Sequence, residues 1–171
     1  MKIVNLTEAL DWESSLNPRP KPELREKFDC GNASLNTYLK QHARQSDKQN
    51  ISRPWILIDT KKVAIAGYVS LANASIEKID VQGIHKANVN PIPSLLIGRL
   101  AIDSSYQGQG LGEKLLMFAF EKAIEINLIS AIQLIAVDAL DDDAEQFYKK
   151  YGFQKVGATK RMILSMKDLK T

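Results

Sequence analysis

A single cysteine, Cys30, stands in the whole sequence, which excludes an intramolecular disulfide and makes a cytosolic setting the natural expectation. Histidine is almost as scarce. His42 and His85 lie far apart with no Cys or His at ligand spacing, so neither reads as a metal ligand and no metal is expected. No segment approaches the roughly 18 uninterrupted apolar residues of a membrane span, and the first residues carry no arginine-led apolar run ending in small residues. Internal repeats and low-complexity tracts are also lacking. At 171 residues, 44% hydrophobic and 25% charged, the chain is long enough to bury a core, and the expectation is one soluble cytoplasmic domain over 1–171.

What the chain does carry is a strand-to-helix passage, Leu100-Ala101-Ile102-Asp103-Ser104-Ser105-Tyr106-Gln107-Gly108-Gln109-Gly110-Leu111-Gly112-Glu113. The glycines strip the turn of side chains, so successive backbone N–H groups can converge at the positive end of the following helix, a cradle for phosphate. Two familiar phosphate turns do not match it. A dinucleotide-binding turn follows the first strand of a parallel unit and is joined by an acidic residue about 20 positions on; here a long stretch of antiparallel character comes first. A P-loop ends in Gly-Lys-Ser or Gly-Lys-Thr, whereas this turn ends in Gly112-Glu113.

Hydrophobic periodicity gives the turn its setting. Residues 3–17 read as a short strand, a turn and an extended connector into a proline-rich stretch. Leu35, Tyr38 and Leu39 take helical spacing after Gly31-Asn32; if that helix continues, Lys40, Arg44 and Lys48 form one positive stripe. Residues 54–59 and 63–71 read as a hairpin, and 73–93 as mostly loop, with room for a short strand or a lid. The apolar run 94–102, broken by Arg99, reads as a strand buried on both faces. An amphipathic helix from 111 leads to a second buried strand, 131–137, parallel to the first with a right-handed crossover. Asp141, Asp142 and Asp143 cap a short helix, 144–151, closed by Gly152. Residues 153–156 and 162–166 make a last strand pair.

Charge is unevenly placed along a chain of net charge +3. One basic group holds Lys40, Arg44, Lys48 and Arg53 against Asp47; a second holds Lys155, Lys160, Arg161, Lys167 and Lys170 against Asp168. On composition alone these are either two solvated faces or a polyanion surface.

Gln107-x-x-Gly110-x-Gly112 between strand and helix, followed by Phe147-Tyr148-x-x-x-Gly152-Phe153, resembles the GNAT superfamily of acetyl-CoA-dependent N-acetyltransferases over about residues 54–166. Phe28-Asp29-Cys30-Gly31, Leu35-Asn36-x-Tyr38-Leu39, Gly98-Arg99-Leu100-Ala101-Ile102-Asp103 and Val137-Asp138-Ala139 add a narrower resemblance, over nearly the whole chain, to the GNAT toxins of bacterial toxin–antitoxin pairs. The resemblance implies an α/β (α+β) fold: one mixed, mostly antiparallel sheet flanked by helices, with a central parallel strand pair. It implies acetyl-CoA as co-substrate, with the backbone of Leu100, Ala101 and Ile102 pairing the pantetheine arm. Gln107, Gly108, Gln109, Gly110, Leu111, Gly112 and Glu113 then surround the pyrophosphate, and Tyr148 is the general acid for the departing thiolate.

The implied acceptor is charged tRNA, acetylated on its α-amino group so that translation stops, and the implied partner is a ribbon-helix-helix antitoxin; a homodimer is left open. An α-amino group titrates near 7.7–8.0, so a strong general base is not required. Candidate tRNA contacts are Lys40, Arg44, Lys48, Arg53, Arg99, Lys160 and Arg161. A buried arginine needs a partner, so Arg99 is either a structural ion-pair member or a contact to the tRNA end. Asp138 is divided likewise between loop bonding and substrate. Two other functions stay open: acetylation of a small amine or a protein N-terminus, and a non-catalytic module that binds CoA or a partner.

Overall fold

The computed structural model describes residues 1–169, so Lys170 of the second basic group lies outside the described residues. Strand β1 (Lys2–Asn5) runs straight into helix α1 (Leu6–Ser15), where the sequence reading expects a turn and connector. Asn5 makes the helix possible: its side-chain oxygen accepts from the Glu8 N–H, and its amide donates to the Glu8 carboxylate, both at 2.9 Å. Short helices α2 (Leu24–Lys27) and α3 (Ala33–Thr37) follow. A π-helical turn, Tyr38–His42, then joins α3 to α4 (Ala43–Lys48), with the Ala43 N–H bonded to the Tyr38 carbonyl five residues back. That extra residue lets Tyr38 and Leu39 both turn inward with Leu35 and Ala43.

Strands β2 (Arg53–Asp59) and β3 (Ala64–Ile76) form the expected hairpin, in register from Arg53↔Leu71 to Asp59↔Ala64. β3 continues beyond the expected end into the stretch read as loop, and a 3-10 turn, Lys78–Val81, comes next. Then come β4 (Ile92–Ile102), α5 (Leu111–Ile129), β5 (Leu134–Asp138), α6 (Asp142–Lys150), β6 (Gln154–Lys155) and β7 (Arg161–Ser165). The strands make one seven-stranded sheet in the order β1-β2-β3-β4-β5-β7-β6, with β4 and β5 parallel and β1–β2, β2–β3, β5–β7 and β6–β7 antiparallel. The expected sheet is therefore present, parallel pair included.

The chain divides into two compact units, Met1–Leu71 with Arg99–Phe118 and Ala72–Gly98 with Ala119–Thr171. The first has a core built on Phe28, Leu39, Ile56, Ile58 and Tyr68, with Phe28 edge-on to Tyr68 at 5.6 Å. The second packs Ile92, Leu134, Ala136 and Ile163 against Ile76, Val81 and Ala87. Val81 and Ala87 come from the stretch expected to be loop, which is therefore the cover of a core rather than a free excursion. Among the described residues no helix is long and apolar enough to cross a membrane.

Candidate active site

Strand β4 pairs with β5 from Ser94↔Leu134 to Ile97↔Val137, and its residues 98–102 lie past the last of these pairs. On its other flank β4 meets β3 closely. A Cβ on Gly67 would stand 2.7 Å from the Ala101 carbonyl and 2.7 Å from the Ile102 side chain, so the approach requires glycine. The Asp103 N–H donates to the Ala66 carbonyl at 3.0 Å and closes this contact.

The passage out of β4 is stitched to residues 28–36. The Asp103 carboxylate accepts from the Asp29 N–H at 3.0 Å, and the Ser104 N–H and hydroxyl both donate to the Asp29 carbonyl at 2.8 Å. Gln107 spends its side-chain amide on the carbonyls of Cys30, at 3.1 Å, and Ile102, at 3.0 Å. Asn36 braces the far side: its oxygen accepts from the Cys30 N–H at 2.9 Å and its amide donates to the Asp29 carboxylate at 2.7 Å. Asp29 is held below the usual carboxylate range, first by the Gly31 N–H and then by Asn36. The Cys30 thiol, its environment dominated by burial, is pushed up and stays a thiol. Tyr106, buried beneath the turn, donates its hydroxyl to the Asp59 carboxylate at 3.0 Å, and burial with that bond raises its pKa to about 12.

On this base stands the cradle. Gly108 and Gly110 adopt φ of +73° and +74°, with nothing within 4 Å of where a Cβ would sit. The first bond of α5 in this stretch runs from the Lys114 N–H to the Gly110 carbonyl; among the described residues none of the N–H groups of Gly108, Gly110, Leu111, Gly112 and Glu113 has a backbone acceptor. Open donors at a helix N-terminus suit a diphosphate, so the residues fit the pyrophosphate of acetyl-CoA. Gln107 and Gln109 shape this loop instead of facing out from it, Gln109 through a 3.3 Å bond to the Ser105 carbonyl. Leu111 and Gly112 are half-buried and Glu113 is exposed.

In the second unit, α6 starts at Asp141, whose side chain accepts from the Ala144 N–H at 2.8 Å, and ends before Gly152 at φ +90°. Tyr148 sits on its inner face, 6% exposed, edge-on to Phe147 at 5.1 Å and to Phe153 at 5.4 Å. Its hydroxyl makes no hydrogen bond among the described residues. Burial lifts the phenol well above its ordinary value. The group is thus a protonated donor.

The cationic candidates separate into two kinds. Arg53 is bound to Asp47 at 2.6 Å and to Asn50 at 3.0 Å; Arg161 grips Asp138 through Nε and through Nη2 at 2.9 Å; and Lys160 donates to the Leu140 carbonyl at 3.1 Å. Arg44 and Lys48 lie four apart on α4, both exposed, while Lys40 falls inside the π-helical turn and is half-buried. Among the described residues Arg99 takes no carboxylate: its guanidinium lies 3.9 Å from the centre of the Tyr38 ring.

The sheet with its parallel β4–β5 pair and the glycine cradle at the start of α5 define an acetyltransferase of the GNAT class. The chain belongs to that family: the model of the acetyltransferase (GNAT) domain matches residues 51–155. Among relatives, it is 33% identical over 144 residues to a tRNA-acetylating toxin of Mycobacterium tuberculosis, covering 82% of this chain and 85% of that one. Among solved structures, the toxin AtaT complexed with acetyl-methionyl-tRNA superposes with a TM-score of 0.81 at 30% identity, over 97% of this chain and 95% of that one. The AtaTR complex bound with acetyl-CoA gives a TM-score of 0.77 at 31% identity, over 97% and 93%.

Proposed function

We propose that this chain is an acetyl-CoA-dependent N-acetyltransferase toxin that acetylates the α-amino group of aminoacyl-tRNA and so blocks translation. What carries the reading is the braced glycine cradle at 108–112 in a chain similar over most of its length to a tRNA-acetylating toxin. It acts as one domain in the cytoplasm, and its partner is an antitoxin of the ribbon-helix-helix class. AtaT has been solved bound to the C-terminus of its antitoxin AtaR, which supports such a pairing.

When bound, acetyl-CoA supplies an activated acetyl thioester. The N–H groups of Gly108, Gly110, Leu111 and Gly112 would hold its pyrophosphate, and the backbone of Leu100, Ala101 and Ile102, beyond the last β5 pair, would pair with the pantetheine arm and polarise the thioester carbonyl. The Tyr148 hydroxyl gives its proton to the departing thiolate, a role its raised pKa allows across the neutral range. The acceptor needs no strong base, because part of an α-amino population is neutral at pH 7. Arg44 and Lys48, exposed, suit phosphate contacts better than Arg53 and Arg161, whose charges already have partners.

The test is transfer of label from acetyl-CoA to bulk aminoacylated tRNA, run beside a polyamine and a peptide with a free N-terminus. Label on the aminoacyl group of the tRNA is expected. Preferential labelling of polyamine or peptide would replace the reading with a small-amine or N-terminal acetyltransferase, and no transfer to any acceptor would favour a binding module.

A further inference from the structure

Arg99 differs from the other arginines of the chain. Arg19, Arg25, Arg53 and Arg161 each hold a carboxylate, and Arg44 stands exposed on α4. Arg99 is half-buried, yet among the described residues it has neither a carboxylate nor a hydrogen-bond partner. Its flat face is satisfied by the Tyr38 ring at 3.9 Å. That contact leaves the edge of the guanidinium, with its fork of N–H donors, unused.

The ring beneath it is held from several sides. The Tyr38 hydroxyl bonds Ser52 at 2.8 Å and Ser70 at 2.9 Å. Its face stacks on Tyr68 at 5.8 Å and 26°, and its carbonyl closes the π-helical turn. A cation parked on such a ring keeps its position without a counter-ion, at the residue that precedes Leu100, where the thioester strand begins.

We propose that Arg99, carried on Tyr38, is the receptor for a backbone phosphate near the aminoacylated end of the acceptor. This rests on the reading of charged tRNA as substrate. In an aminoacyl ester the amino acid's carboxylate is masked, so the anions left for a guanidinium fork are phosphodiester oxygens. The pyrophosphate of acetyl-CoA is provided for separately by the cradle at 108–112.

The test compares wild type, Arg99→Gln, Arg99→Lys and Tyr38→Leu on bulk aminoacylated tRNA and on puromycin, an aminoacyl-nucleoside that lacks a phosphate. Arg99→Gln is expected to raise the KM for tRNA on the order of tenfold, with kcat/KM for puromycin and the affinity for acetyl-CoA unchanged. Arg99→Lys keeps the charge without the fork and recovers part of the loss, while Tyr38→Leu removes the platform and behaves like Arg99→Gln. The slope of log Kd for tRNA against log salt flattens by about 0.7 in Arg99→Gln, the signature of one lost single-strand phosphate contact, which a purely structural role would not produce. An equal fall on tRNA and puromycin, a loss of acetyl-CoA affinity, or an unchanged salt slope overturns the assignment while wild-type transfer to tRNA stands. Failure of wild type itself to label tRNA overturns the functional reading and this inference together.

Discussion

Ser104 delivers two donors to one acceptor: its N–H and its hydroxyl both bond the Asp29 carbonyl, each at 2.8 Å. With Asp103 reaching back to the Asp29 N–H, this clamp fixes where the chain leaves β4 and hence where the cradle opens. Ser104→Ala keeps the backbone bond and removes the hydroxyl one. The expected cost is about 1 kcal/mol of stability, with a severalfold weaker affinity for acetyl-CoA and little change in kcat. Thermal unfolding and calorimetric titration with acetyl-CoA measure the two; an unchanged affinity would detach the clamp from the cradle.

Two glycines make opposite demands on an added methyl. At Gly110 the space is open and the backbone is left-handed, φ +74°, so Gly110→Ala costs roughly 1–2 kcal/mol of conformational strain and is expected to weaken acetyl-CoA binding in a folded protein. At Gly67 a Cβ meets the Ala101 carbonyl at 2.7 Å. Gly67→Ala therefore pushes β4 away and costs about 1–3 kcal/mol through overpacking. Circular dichroism melts and acetyl-CoA affinity, measured on both variants, separate conformational strain from steric displacement.

The elements around the cradle were legible because their hydrophobic periods are long. The 94–102 run, the helix from 111 and the Tyr148 helix each declared their type, and Asp141 and Gly152 marked the ends of the last. Helix α1 was missed although Asn5 and Glu8 carry the spacing of a capping box, since Leu6, Ala9 and Leu10 are too few to show a period. The clamp was not legible at all: Asp29 and Asp103 lie 74 residues apart, and only the fold brings them together. The same holds for Arg161, which sits opposite Asp138 in the β5–β7 register and is neutralised there. A count of charges sees a cation where the structure holds an ion pair. The π-helical turn also left no trace in the spacing, yet Lys40 lies within it, half-buried, while Arg44 and Lys48 stand exposed on α4.

Tyr148 carries the pH argument. Tyr148→Phe loses only the hydroxyl, and the ring keeps its contacts with Phe147 and Phe153. Turnover is expected to fall by two to four orders of magnitude, roughly the worth of a general acid, with acetyl-CoA binding unchanged. Because burial raises the folded-state pKa of Tyr148, the hydroxyl stays protonated below its ordinary value near 10 and above it. The rate in wild type should therefore climb as the acceptor amine loses its proton between about pH 7 and 8 and hold its plateau past pH 10. The sign for stability is the same: burial of the neutral phenol contributes fully below pH 10 and is lost as pH rises through the raised value. A descending limb in kcat/KM beginning below pH 9 would take the proton donation away from Tyr148.

Free and paired cations should part company in tRNA binding. Arg44 and Lys48 are exposed, so charge reversal at both removes two attractive contacts and adds repulsion. Affinity for tRNA should drop on the order of tenfold or more, and the dependence of log Kd on log salt should flatten. Arg53→Ala and Arg161→Ala act differently. Each frees a carboxylate, Asp47 or Asp138, that the arginine had neutralised, and each exposed pair is worth about 0–1 kcal/mol of stability. The site thus changes from neutral to negative, and a modest fall in affinity, smaller than that of the double reversal, is expected. Filter binding of bulk tRNA across a salt series ranks the variants. If Arg53→Ala or Arg161→Ala matches the double reversal in both affinity and slope, the paired arginines swing out to meet phosphate and the α4 face is only solvated surface.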